Sequence, residues 1–242
     1  MRDFIFRVFN LSVGKVIRLF QRTLPPRNSP QGVFGVFHLI IQQALQDSAQ
    51  YAIDNFSKAM AFDTRSDLWS YCLNRIPQLQ TGGVIAEFGV YKGESINFFA
   101  KSCPKARVFG FDSFEGLEED WYGTRLQKGS LNRNCQMPKC ESNVNLVKGW
   151  FEDTLPEFCA ELQQEKILLL HMDADTYKPT AYVLKSLSNN LGQGTIIIFD
   201  EYFGYPNFRL HEFKAFQELV NSSGLIYRYI GYTEVQVAIE VL

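Results

Sequence analysis

VIAEFGVYKGESIN, residues 84–97, joins an apolar run to a helical run through a loop carrying two glycines four positions apart. GVIAEF reads as a strand and ESINFFAKSC as a helix. The turn between them is where an open parallel sheet receives its ligand. Outward from this point the alternation repeats. ARVFGFD, NVNLVKG, KILLLHMD and GTIIIFDE read as further strands, and TAYVLKSLSNNL and LHEFKAFQELVNSSG as helices. ILLL and TIIIF lack polar alternation, as expected of central strands buried on both faces. LIYRYIGYTEVQVAIEVL closes the chain as two strands around a GYT turn, an antiparallel hairpin at one edge. The expected fold over residues 61–242 is α/β: a doubly wound, mostly parallel Rossmann-like sheet.

Residues 1–60 read as an N-terminal helical extension. Its first 27 residues carry six basic side chains against Asp3, interleaved with Phe4, Ile5, Phe9, Val13, Ile17 and Phe20. A basic amphipathic helix of this kind suits peripheral contact with a membrane surface, or packing on its own domain or on a second copy in a homo-oligomer. TLPPRNSPQG (23–32) then breaks the helix. A helical pattern follows over 33–60, and another runs from near Thr64 to about Ile76, capped by Thr64 or Ser66.

The 242 residues are 46% hydrophobic and 21% charged, enough apolar material for a core that needs no disulfide or structural metal. A net charge of −2 gives no reason to expect nucleic acid as a partner. Five scattered cysteines without a secretory signal suit reduced thiols and a cytoplasmic location. Cys135 and Cys140 have the look of half a zinc site, but no second pair or nearby histidine completes it.

Gly89 and Gly93 let a ligand approach the backbone, and the helix that follows offers unpaired N–H groups. A nicotinamide dinucleotide calls for G-x-G-x-x-G, whereas this loop is G-x-x-x-G with Glu87 two residues before it. A carboxylate there repels a diphosphate and favours a cationic ligand such as S-adenosyl-L-methionine, which has a sulfonium and no phosphate. Asp112, at the end of RVFGFD and followed by Ser113, can accept hydrogen bonds from ribose hydroxyls in either nucleotide class. Trp150 and Phe151 can flank an adenine ring, with Glu152 or Asp153 accepting from its amino group.

HMDADTYKPT places Asp173 and Asp175 after one strand, and FDEYFGY places Asp200 and Glu201 after the next. Acids converging there repel one another unless a divalent cation intervenes, and an oxygen-only donor set suits Mg2+. Asp173, Asp200 and Glu201 are the expected ligands, and Asp200 is also a candidate catalytic residue. Of the three histidines, His211 lies soon after the acidic pair and is the candidate general base. His171, inside a strand, suits a satisfied core position, and His38 lies in the N-terminal helical region.

EFGVYKGESIN, VFGFDSFEGLEEDW, VKGWFEDTLP, HMDADTYKPT and GTIIIFDEY, in this order, resemble the macrocin O-methyltransferase-like (TylF/MycF) family of class I S-adenosylmethionine-dependent methyltransferases. The resemblance covers roughly residues 60–240. It implies Mg2+-assisted methylation of a hydroxyl on a sugar or natural-product small molecule. Glu87, Gly89 and Gly93 would line the methionine moiety, Asp112 the ribose, and Asp173, Asp200 and Glu201 the ion. The layout is also distantly similar to catechol O-methyltransferase. Glu201 departs from the pattern, which has an aspartate there. The alternatives are an NAD-dependent oxidoreductase and a non-catalytic Rossmann-fold partner at a membrane surface.

Overall fold

The computed structural model describes residues 35–242. The basic amphipathic segment 1–27 and the proline-rich break after it lie outside the described residues. Eight strands form one sheet in the order β1-β7-β8-β6-β5-β2-β3-β4. They are β1 (Met60–Ala61), β2 (Val84–Phe88), β3 (Arg107–Asp112), β4 (Val144–Lys148), β5 (Ile167–Met172), β6 (Ile196–Phe199), β7 (Tyr227–Tyr232) and β8 (Val237–Val241). Only β8 runs antiparallel to its neighbours, between β6 and β7. The two-residue β1 pairs in parallel outside β7, so the hairpin lies one short strand in from the edge. Every residue of β2, β5 and β6 is buried, which is why these runs are apolar without alternation.

The helices are α1 (Val36–Asn55), α2 (Arg65–Asn74), α3 (Glu94–Ser102), α4 (Phe151–Leu162), α5 (Tyr177–Ser186) and α6 (Glu212–Ser223). Thr64 caps α2 by accepting from the Asp67 amide at 3.2 Å, relieving one free N–H of the first turn. Leu68, Trp69 and Cys72 of α2 and Ile96 and Phe99 of α3 share one core with Ile85, Leu169 and Ile198. Across the sheet, Phe158 of α4 meets Phe111 with ring centroids 4.8 Å apart, and Phe216 of α6 meets Phe199 at 5.0 Å.

α4 begins with Phe151, Glu152 and Asp153, the residues read above as adenine contacts. Pro156 lies inside it and removes one helical N–H, yet the helix continues because Leu155, Phe158 and Leu162 bury one face. Ala44–Leu242 form the larger compact unit. Within it Tyr51 packs on Phe213 at 5.0 Å and Phe56 on Tyr229 at 4.4 Å, so residues 44–60 contribute to its core. Among the described residues no helix is long and apolar enough to cross a membrane.

Candidate active site

β2 and β5 are the adjacent strands from which the sheet winds in opposite directions, so the crevice at their carboxyl ends is the switch point of the fold. The strand ends stay paired one residue further. Gly89 N–H donates to Phe111 O, Asp173 N–H to Phe88 O and Asp200 N–H to Met172 O, each at 2.9 Å. The glycine loop, Asp173 and Asp200 are thereby brought level.

Gly89 answers a steric demand different from the one read in the sequence. At φ +96°, a β-carbon there would lie 1.8 Å from the carbonyl oxygen of Asp173. The missing side chain lets the loop after β2 rest directly on the loop after β5. Gly93, at φ +76°, precedes α3 and faces Pro138 of the long 113–143 segment. Tyr91 and Asp175, both non-glycine, also have positive φ (48° and 63°), a conformation that clusters at functional sites.

Asp112 braces the glycine loop. Its Oδ2 accepts from the amides of Val90 (2.9 Å) and Tyr91 (2.7 Å), and its Oδ1 from Phe114 (2.6 Å). Oδ2 is saturated and Oδ1 keeps acceptor capacity. Ser113 is buried, with its hydroxyl accepting from the Glu115 amide at 3.1 Å. Trp150 is partly exposed at the start of α4, and Phe151 packs edge-on against Phe88 at 5.3 Å.

Glu87 does not line the crevice. β2 runs on through Phe88, so Glu87 lies within the strand and is fully buried on the α2/α3 face. Its Oε1 accepts from the Ser95 hydroxyl at 3.0 Å and its Oε2 from His171 Nδ1–H at 3.1 Å. His171 Nε2–H points to Asp200 Oδ1 at 3.3 Å, which also accepts from the Gln236 amide. Arg65 Nη1 lies 3.8 Å from Asp200 Oδ2. Burial disfavours a charged ring, but the hydrogen bonds to Asp200 and Glu87 outweigh it and raise His171 to about 9. Burial would raise Asp200, yet the His171 hydrogen bond and the Arg65 charge hold it at about 2. Burial is the main cause that raises the pKa of Glu87.

A second group of acids has no such compensation. One oxygen each from Asp173, Asp175 and Glu201 lies within 4.8 Å of the others. Burial, followed by repulsion from neighbouring carboxylates, pushes Asp175 up to about 8 and raises Asp173 and Glu201 well above the usual range. Glu201 Oε2 is buried without a partner. Three convergent carboxylates with an orphaned oxygen fit a hard divalent cation. Asp173 and Glu201 of the expected trio are here, Asp175 is the third member, and Asp200 is turned to His171.

Sequence reasoning missed Glu212. It is fully buried, its Oε2 accepts from the Glu201 amide at 3.1 Å, and Oε1 has no partner. Its place next to His211 at the start of α6 was the available signal. His211 is buried and donates from Nε2 to the Tyr122 carbonyl at 2.8 Å; Nδ1 has no partner, and burial lowers its pKa. Tyr205 stacks on it, with ring centroids 6.2 Å apart. Cys135 and Cys140 are free thiols, and among the described residues they belong to no metal-binding group.

Two curated Streptomyces enzymes resemble the chain. It is 27% identical over 161 residues to the 8-demethyl-8-(2,3-dimethoxy-alpha-L-rhamnosyl)-tetracenomycin-C 4'-O-methyltransferase of Streptomyces olivaceus, covering 57% of this chain and 60% of that protein. It is 25% identical over 157 residues to the demethyldecarbamoylnovobiocin O-methyltransferase of Streptomyces niveus, covering 56% and 58%. The chain thus spans less than two thirds of the length of either. Among solved structures, the fold matches the calicheamicin methyltransferase CalS11 with a TM-score of 0.58 at 22% identity, covering 86% of this chain and 94% of that one. It matches the O-methyltransferase NovP with a TM-score of 0.54 at 18% identity, covering 84% and 97%. Residues 42–226 match the macrocin-O-methyltransferase (TylF) family, more than half of the sequence, and the chain belongs to that family.

Proposed function

We propose that this chain is an S-adenosylmethionine-dependent O-methyltransferase acting on a hydroxyl of a sugar or natural-product small molecule. The family match over residues 42–226 carries the reading. The crevice at the β2/β5 switch point and the acceptors named in the two relatives support it.

The donor lies along the loop after β2, against Gly89 and Gly93. Asp112 holds that loop by its backbone amides and offers its Oδ1 to a ribose hydroxyl. Ser113 shapes the turn after it, and Trp150 and Phe151 flank the adenine from the start of α4. Glu87 acts from beneath the loop, through its contacts with Ser95 and His171.

Asp173, Asp175 and Glu201 would hold Mg2+, the ion that best suits their oxygen-only donor set. When bound, the donor supplies a methyl group on sulfonium sulfur, and the ion supplies Lewis acidity toward an acceptor hydroxyl. The protein's own part is to align acceptor and donor and to take up a proton. His211 is the base: with Nε2–H committed to the Tyr122 carbonyl, its neutral ring keeps a lone pair on Nδ1. Asp200 serves catalysis by holding His171.

Incubating the full chain with labelled S-adenosylmethionine, Mg2+ and a panel of rhamnosides tests the reading. Labelled methyl ether on a sugar hydroxyl is expected. A chain that binds neither S-adenosylmethionine nor S-adenosylhomocysteine would overturn it.

A further inference from the structure

His171 is held through both ring nitrogens, and the proton chemistry above does not use it. It is fully buried one residue from the carboxyl end of β5, directly opposite Glu87 in the β2 register. Both ring nitrogens face carboxylate oxygens, at 3.1 Å and 3.3 Å, so satisfying both takes a ring with two N–H groups. Trp69 and Phe99 close on the ring edge-on, with centroids 5.9 Å and 5.3 Å away. The two acids are held from outside as well, Glu87 by Ser95 of α3 and Asp200 by Gln236 and Arg65.

A buried charged triad is a poor way to gain stability, because apolar side chains of similar volume do as well without the cost of dehydrating ions. What it offers here is register. Glu87 is two residues before Gly89, His171 two before Asp173, and Asp200 immediately before Glu201. Glu87 and His171 therefore lie two residues below the Gly89–Asp173 contact, and Asp200 lies level with it. We propose that His171 is a positioning residue: clamped between Glu87 and Asp200, it locks the loop after β2 to the acidic loops after β5 and β6, so that donor and cation sites share one rigid frame. The assignment of those loops to donor and cation rests on the methyltransferase reading; the clamp itself does not. Methyl transfer needs such a frame, because reacting atoms must be aligned closely for the step to proceed.

The test compares His171→Gln with the charge-balanced pair Glu87→Gln/His171→Gln in the full chain, by hydrogen exchange and thermal unfolding. In His171→Gln, amides of 88–93, 173–176 and 200–203 should exchange at least about tenfold faster, while those of β3 and β4 stay within about twofold of the parent. The double variant should recover most of the lost melting temperature yet keep the fast exchange in the three loops. Uniform acceleration across the sheet, or loops that return to parent rates along with the melting temperature, would reduce His171 to a structural ion and overturn the proposal. A third arm needs no folded variant. In parent protein with 15N-labelled histidine, assigned against His38→Gln and His211→Gln, both ring N–H protons of His171 should be visible; a single one would break the clamp. Calorimetry with S-adenosylhomocysteine is read separately, since failure to bind would remove the donor reading while leaving the mechanical result intact.

Discussion

Gly89→Ala inserts a methyl group into the contact between the two loops that form the candidate site. The new β-carbon would start 1.8 Å from the Asp173 carbonyl oxygen, whereas ordinary contact begins near 3.4 Å, so the loops must part by about 1.6 Å. The obstacle is backbone, which has no rotamer to yield. Placing an L side chain at φ +96° costs about 1–2 kcal/mol, and overpacking adds about 1–3 kcal/mol. The control is Gly224→Ala at the end of α6. There φ is +69° and nothing lies within 4 Å of the added carbon, so only the backbone strain applies. Chemical denaturation should therefore separate the variants by about 1–3 kcal/mol, or roughly 2–4 °C of melting temperature per kcal/mol for a domain of this size. Gly89→Ala should also weaken S-adenosylhomocysteine binding about tenfold or more by calorimetry, and Gly224→Ala should leave it unchanged. Equal destabilisation by the two, or intact ligand affinity in Gly89→Ala, would refute the idea that this contact builds the site.

Further outcomes follow from the same geometry. Asp175→Asn should weaken Mn2+ binding by about tenfold or more, and Asp200→Asn by far less; the reverse order in a titration would return Asp200 to the ion. Asp175 is raised to about 8 in the folded protein, so the native state holds a proton that the unfolded chain releases near pH 4. Stability in EDTA should fall as pH rises from about 4 through 8, and Mg2+ should restore it most at the alkaline end; melting curves that are flat with pH, or insensitive to Mg2+, would contradict this. His211→Gln should lower turnover about 100-fold or more while S-adenosylhomocysteine affinity holds, whereas equal losses of both would make the ring structural. Asp112→Ala should weaken that ligand by about 1–3 kcal/mol, partly by freeing the Val90 and Tyr91 amides, and unchanged affinity would remove Asp112 from the site.

The central strands could be read from sequence because burial on both faces leaves an unbroken apolar run, as in ILLL and TIIIF. The glycine loop was readable as a close approach, but not that the approach at Gly89 is to the Asp173 backbone. What sequence could not convey was which way an acid turns. Glu87 looks like a ligand-facing carboxylate until its partner His171, 84 positions away, appears opposite it. Asp200 follows β6 directly and Asp175 lies three residues past β5, so distance from the strand end favours the wrong acid as a ligand. Their exchange of roles depends on the positive φ of Asp175 and on Gln236, which arrives from the far end of the chain. α4 was not read as a helix; Pro156 lies inside it, a local breaker overridden by packing on the sheet.

The most direct measurement is titration calorimetry of S-adenosylhomocysteine into the full chain, once with Mg2+ and once with excess EDTA. The account predicts micromolar binding in both conditions, because the donor loop is braced by Asp112 and by the Gly89–Asp173 contact without help from an ion. Absence of binding in both would contradict it.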